Sequence, residues 1–236
     1  MAVGIVLLPE LSRRLRAGKE ELAMRSQNRS LEFAALLTVP AAAALVVAAT
    51  PIVQVLFERG AFQAADIAPT AHALAAFACG LPAFVAIKVF SPGFFAREDT
   101  RTPMNYAIVG VAVNIAGSLA LYLPLGHVGI AIATSLARWV HAGLLAATLT
   151  RRGHFTLGAQ DRRRLARILL CALAMAGFVW LLTLGLGPWL GAPSTTLRAL
   201  ALAAVVTLGG IFYIGAAHFT GAADLRAIAD MLTRRR

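Results

Sequence analysis

Arg138 stands near the middle of a long apolar run, and His141 follows three residues later, on nearly the same face of any helix built there. If that run crosses a bilayer, an arginine at its centre costs roughly 2.5–3.5 kcal/mol on insertion scales. It then calls for a polar interior, a pathway for an anionic group, or carbonyls offered by a neighbouring helix. Lys88 lies about one turn before Pro92, where it can snorkel to water or line a cavity. Asn114 and Ser118 are one turn apart on one helix, and Thr134 and Ser135 fall on the next. Oxygen-bearing side chains on adjacent helices suit a small cation, and they suit interhelical hydrogen bonding equally well. Other chemistry finds little footing. No HExxH, glycine-rich phosphate loop or GxSxG is present, and His72, His127, His141, His154 and His218 lack metal-ligand spacing. The acidic residues fall in loops or at helix ends. We therefore expect neither an enzyme nor a metal centre.

The elements that must position these residues are apolar. The chain has 236 residues, of which 59% are hydrophobic and 14% charged, and its mean hydropathy is +0.74. A soluble domain carries about 25% charged residues, so a membrane protein is the first reading. Lys and Arg number 22 against 11 acidic residues, a net charge of +11. Such an excess suits a nucleic acid or a membrane surface, and without a soluble scaffold it argues against nucleic acid. Cys79 and Cys171 lie in apolar runs and read as small buried hydrophobes.

A helix spanning about 30 Å of hydrocarbon needs about 20 apolar residues. Runs free of Asp, Glu, Lys and Arg predict six complete spans: 33–57, 67–95 (extended past Lys88), 102 to a break at PLGHVG (124–129), 128–149, 168–186 and 199–219. Residues 2–9, AVGIVLLP, are too short to span and read as the end of a truncated helix. The resulting plan is all-α. Residues 1–9 close the truncated helix, 10–31 form a cytoplasmic amphipathic connector, and 32–150 form a lobe of four transmembrane helices. A basic cytoplasmic loop (151–167), two terminal spans (168–219) and a basic cytoplasmic tail (220–236) complete it. Counted loop by loop, eighteen Lys and Arg fall on one side and one, Arg59, on the other. The positive-inside rule therefore expects the tail and the turn at 96–102 in the cytoplasm.

That turn, SPGFFAREDTRTP (91–103), is compact, charged and bracketed by proline. Pro92 and Gly93 are expected to loosen the end of the incoming helix. Thr102 before Pro103 reads as an N-cap with proline at the first helical position, and Glu98 and Asp99 favour the new helix's positive end.

The succession LLPELSRRL (7–15), KVFSPGFFAREDTRTP (88–103) and PLGHVGIAIATSLA (124–137) resembles the MurJ (MviN) family of lipid II flippases, within the MATE-like exporter superfamily. The resemblance runs in order through essentially the whole chain and matches the C-terminal half of such a protein. It implies a multi-pass protein of the bacterial cytoplasmic membrane that moves the undecaprenyl-diphosphate-linked peptidoglycan precursor. Membrane lipids and a missing N-terminal lobe, or a second chain, would be partners. Arg13, in the LSR element, would be a cavity arginine; Lys88 and Arg138, charged residues within the spans, are the further candidate substrate contacts. No cofactor is implied beyond sodium or proton coupling. Asn114, Ser118 and Thr134 occupy the helices where some members bind sodium, with Ser118 standing where an acidic ligand is expected. Arg138 likewise replaces an expected small residue. The alternatives are an exporter of another lipid-linked sugar or of drugs, and a non-transporting membrane scaffold.

Overall fold

A computed structural model describes residues 2–221, with side chains from residue 7 onward. The tail expected at 220–236 lies almost wholly outside the described residues. Among those residues every regular element is a helix: α1 (Ala2–Arg16), α2 (Glu20–Val47), α3 (Ala49–Phe57), α4 (Ala64–Cys79), α5 (Leu81–Phe95), α6 (Arg101–Leu125), α7 (His127–Arg151), α8 (Ala159–Gly185), α9 (Gly187–Leu190) and α10 (Thr195–Phe219). Six segments are long and apolar enough to cross a membrane, with α4 and α5 together forming one of them. A bundle of this kind satisfies every backbone group internally, as hydrocarbon demands.

The helix ends differ from the expected boundaries. The connector expected at 10–31 is not a separate element: α1 runs on to Arg16, and α2 rises from Glu20 without a break into its apolar stretch. Nine residues of the expected basic loop, 159–167, are the first turns of α8. Composition locates where hydrocarbon begins, whereas the backbone ladder continues into water wherever a cap lies farther out. Gly158 and Asp161 supply that cap for α8, the Asp161 carboxylate accepting the Gly158 N–H at 3.1 Å.

Two apolar interfaces join the first helices to the rest. Leu7 and Leu11 of α1 pack with Ala23 and Ala34 of α2 and Val89 of α5. Phe90 and Phe94 of α5 pack with Leu145 and Leu149 of α7 and with Phe155, whose ring meets that of Phe90 edge-on at 5.2 Å. On the other flank of α2, Leu36 joins Ile168, Cys171, Met175 and Val179 of α8 and Val205 and Tyr213 of α10. The Tyr213 hydroxyl donates to the Leu36 carbonyl at 2.9 Å. α2 is thus the shared wall between the α5–α7 pair and the terminal helices.

α6 and α7 form a tight antiparallel hairpin. Gly126, at φ +57°, makes the turn, a backbone that an L side chain adopts only with strain. At Gly129 a Cβ would collide with the Leu121 carbonyl, so only glycine lets the two helices start this close.

Candidate functional site

The long span of α4 and α5 breaks at Gly80, one residue before Leu81–Pro82. Proline removes a backbone donor, and the Gly80 N–H bonds Phe77 O at 3.0 Å rather than Ala76 O, so helical partners are lost at the break. α7 replaces them from the side. Ser135 Oγ donates to Ala76 O at 2.6 Å and Trp139 Nε1 to Cys79 O at 2.9 Å. Ser135 and Trp139 are one turn apart, so one face of α7 bonds both carbonyls. A Cβ on Gly80 would sit 2.6 Å from Ser135 Oγ, which explains the glycine there.

This docking sets the next turn of each helix. Phe84 and Lys88 are one turn apart on α5, and Arg138 precedes Trp139 on α7. The Phe84 ring lies 5.4 Å from Lys88 Nζ and 5.2 Å from the Arg138 guanidinium carbon. Both are within cation–π reach. Phe84 is 42% exposed, Lys88 is exposed and Arg138 is half-buried, so the ring and the lysine look away from the packed core. Two positive charges against one aromatic ring, with Arg138 near the midpoint of its helix, make a surface that favours an anionic group carried by an apolar body. Phe84 was not singled out in the sequence. Its spacing of four before Lys88 is the signal that could have found it.

Arg13, the third cation expected here, stands exposed in the last turns of α1. No hydrogen bond or ion pair joins it to Lys88 or Arg138 among the described residues. His141, expected beside Arg138, turns toward α6: its Cβ lies against Gly110, and its Nε2 is buried with no hydrogen-bond partner among the described residues.

Asn114, Ser118 and Thr134 do come together. Ser118 Oγ donates to Asn114 Oδ1 at 3.0 Å, Asn114 Nδ2 faces Thr134 Oγ1 at 3.5 Å, and Thr134 Oγ1 donates to the Ile130 carbonyl at 2.8 Å. The three side chains satisfy one another across the α6–α7 hairpin, and the Asn114 oxygen is already taken. Among the described residues no group of three or more His, Cys, Asp or Glu could hold a metal ion.

The 91–103 turn is more tightly built than its residue types suggest. α5 continues through Pro92 to Phe95, with Pro92 and Gly93 buried. A Cβ on Gly93 would lie 2.8 Å from the amide nitrogen of Gln27. That side chain is buried and donates to the Val89 carbonyl at 3.2 Å. The glycine therefore admits α2 rather than loosening the helix. Nor is Thr102 the cap of α6. Asp99 accepts its N–H at 3.0 Å and its hydroxyl at 2.7 Å, and Arg152, at the end of α7, donates to the same carboxylate at 2.6 Å. The Arg152 bond chiefly, then the two bonds from Thr102, hold the Asp99 carboxyl down at about 2. Glu98 takes a left-handed backbone, φ +63°, to complete the turn. Burial first, then the charges of Arg97 and Arg152, pull His154 below its ordinary value, against the opposing charge of Glu20.

Comparison with known proteins returns one family throughout. A family model described as "Lipid II flippase MurJ" matches residues 1–201. The chain is 45% identical over 235 residues to a probable lipid II flippase MurJ of Rhizobium meliloti (strain 1021), covering 99% of this chain and 44% of that protein. It is 43% identical over 237 residues to the corresponding protein of Rhizobium tropici, again spanning 44% of it. A solved structure described as "Lipid II flippase MurJ, inward closed conformation" superposes with a TM-score of 0.69 at 24% identity, over 90% of this chain and 42% of that one. The chain thus spans less than half the length of the relatives it matches.

Proposed function

The chain belongs to the MurJ family, and on that premise we propose that it forms the C-terminal portion of a lipid II flippase of the bacterial cytoplasmic membrane, a transporter acting in cell-wall synthesis. The tail and the 96–102 turn face the cytoplasm. The division into a four-span lobe (32–150), a basic loop and a terminal helix pair (168–219) belongs to the same reading. So does a cavity shared with an N-terminal lobe, supplied by the same or a second polypeptide.

The observation that carries the reading is the Phe84–Lys88–Arg138 cluster. A lipid-linked diphosphate must pass its charge through a medium that stabilises none. Lys88 supplies a point charge on a mobile stem and Arg138 a planar fork able to grip phosphate oxygens in pairs. The ring of Phe84 holds both cations forward without neutralising them, as a carboxylate would. Arg13 adds a further charge from α1. Rocking of one lobe against the other about this surface then exposes it alternately to the two sides. Sodium or a proton drives the cycle, with Asn114, Ser118 and Thr134 the candidate ion contacts between α6 and α7.

The test is rescue of a bacterium depleted of its own flippase. The 236-residue chain is expressed alone and with a separately encoded N-terminal half. Rescue is expected only with both. Arg138→Ala is expected to abolish it at unchanged membrane abundance, whereas full rescue by Arg138→Ala would leave a scaffold role for the cluster. Rescue by the chain alone would overturn the two-lobe arrangement.

A further inference from the structure

A helix breaks at each end of the stretch between Ala48 and Gly80. α2 gives way to α3 at Ala48, whose backbone (φ −95°, ψ 14°) leaves helical geometry. Pro51 follows, with no N–H to offer the Val47 carbonyl. α4 gives way to α5 at Gly80, and Pro82 likewise has no N–H for the Ala78 carbonyl. Proline is the usual cause of a sharp kink. Between the two breaks the chain has an apolar core of its own. Ala49 and Val53 of α3 pack with Ile67 and Ala71 of α4, and Phe62, Leu74 and Ala75 close over them. The rings of Phe57 and Phe62, 6.2 Å apart, brace the connecting loop. Of residues 49–79, Ile52 reaches into the cluster shared by α2, α8 and α10.

The polar ties of this hairpin fall at two places. The bonds from Ser135 and Trp139 of α7 land on Ala76 O and Cys79 O, within a turn of Gly80, so they hold one pivot. At the far end one side-chain contact among the described residues joins the hairpin to the rest: Arg198 Nη1 of α10 donates to Glu58 Oε2. The Arg198 Nε also donates to the Ala192 carbonyl, between α9 and α10. Both charges stand at the wrong end of their own helix. Glu58 is the C-cap of α3, and Arg198 lies four residues after Ser194, the N-cap of α10. Helix dipoles favour cations at the first position and anions at the second. Neither residue helps its own helix, so the pair is explained by what it joins. Both side chains are about four-fifths buried, which shields the contact from screening.

We propose that residues 49–79 form a hinged flap that swings as one body about Ala48 and Gly80, with Glu58 and Arg198 as its latch. A few residues at the ends of elements absorb the backbone change in such a motion. Opening parts α3 from α10 at the end of the bundle away from the basic 151–167 loop. The flap moves within this chain, so it is separate from any rocking of one lobe against another and does not depend on the flippase reading.

Distances between spin labels on the full chain in lipid nanodiscs test this, in a background lacking Cys79 and Cys171. One pair, at Arg59 and Thr196, reads the flap tip against the start of α10. A second, at Arg101 and Arg162, reads the opposite end of the bundle. Glu58→Gln and Arg198→Gln are each expected to shift the first distance to a longer, broader distribution and to leave the second unchanged. The charge swap, Glu58→Arg with Arg198→Glu, is expected to bring the short distance back. In the Glu58→Gln background, Pro51→Ala with Pro82→Ala restores both backbone donors and is expected to narrow the distribution again. A first distance that neither latch variant alters would overturn the proposal. So would equal changes in both pairs, which mean general loosening, or a charge swap that restores nothing. A distribution that the two proline replacements leave broad would remove the hinges from Ala48 and Gly80.

Discussion

Asp99 caps α6 through Thr102 and anchors the end of α7 through Arg152, so one carboxylate in the turn after α5 ties two helices together. Its folded-state value, about 2, lies below the ordinary 3.8. The stabilisation is therefore complete above 3.8 and fades as pH falls toward 2. Asp99→Asn keeps the shape and loses the charge. Its Tm in detergent is expected below that of the wild type at neutral pH, with the gap closing on acidification through that window. A gap independent of pH would mean that the Arg152 bond contributes nothing. The residue types around Asp99 were legible from the sequence, but their division of labour was not. Thr102–Pro103 has the form of a cap, and the carboxylate three residues earlier outcompetes it because Arg152, some fifty residues away, orients it.

At the scale of elements, the α6–α7 hairpin depends on close approach. Gly129 lies against the Leu121 backbone, where no rotamer change can make room. Gly129→Ala is expected to cost about 1–3 kcal/mol through overpacking, read as a lower Tm and as faster hydrogen exchange in both helices. A neutral effect would show that the hairpin can open without loss. Boundaries in apolar sequence were the least legible feature here. Residues 20–31 carry charges expected of an amphipathic connector and 159–167 charges expected of a basic loop, yet their backbones continue the membrane helices. The break at Gly80 was also hidden, because Ser135 and Trp139 mend it with side chains from another helix.

At the scale of the molecule, α2 is the common wall. It packs against α1 and α5 on one flank and α8 and α10 on the other. Two ion pairs fasten the terminal helices at opposite ends, Glu32 to Arg164 and Glu58 to Arg198. The proposed orientation puts Arg59 outside and the 96–102 turn inside. A cysteine placed at Arg59 in a background lacking Cys79 and Cys171 is expected to react with a membrane-impermeant thiol reagent in intact cells, and one placed at Arg101 only after permeabilisation. The reverse pattern would invert the topology and put the basic loops on the wrong face.

The number and order of the spans could be read from sequence alone, because entry into hydrocarbon depends on the composition of one segment at a time. The presence of Arg138 and Lys88 within such segments was legible for the same reason. Their meeting over Phe84 was decided only by the tertiary structure, as was the bridge that Asn28 makes from α2 to Asp161 and the Thr156 carbonyl. Both depend on how each helix is rotated about its own axis. That rotation is set by close packing and by single hydrogen bonds between residues 59 to 133 positions apart, and no local pattern encodes it.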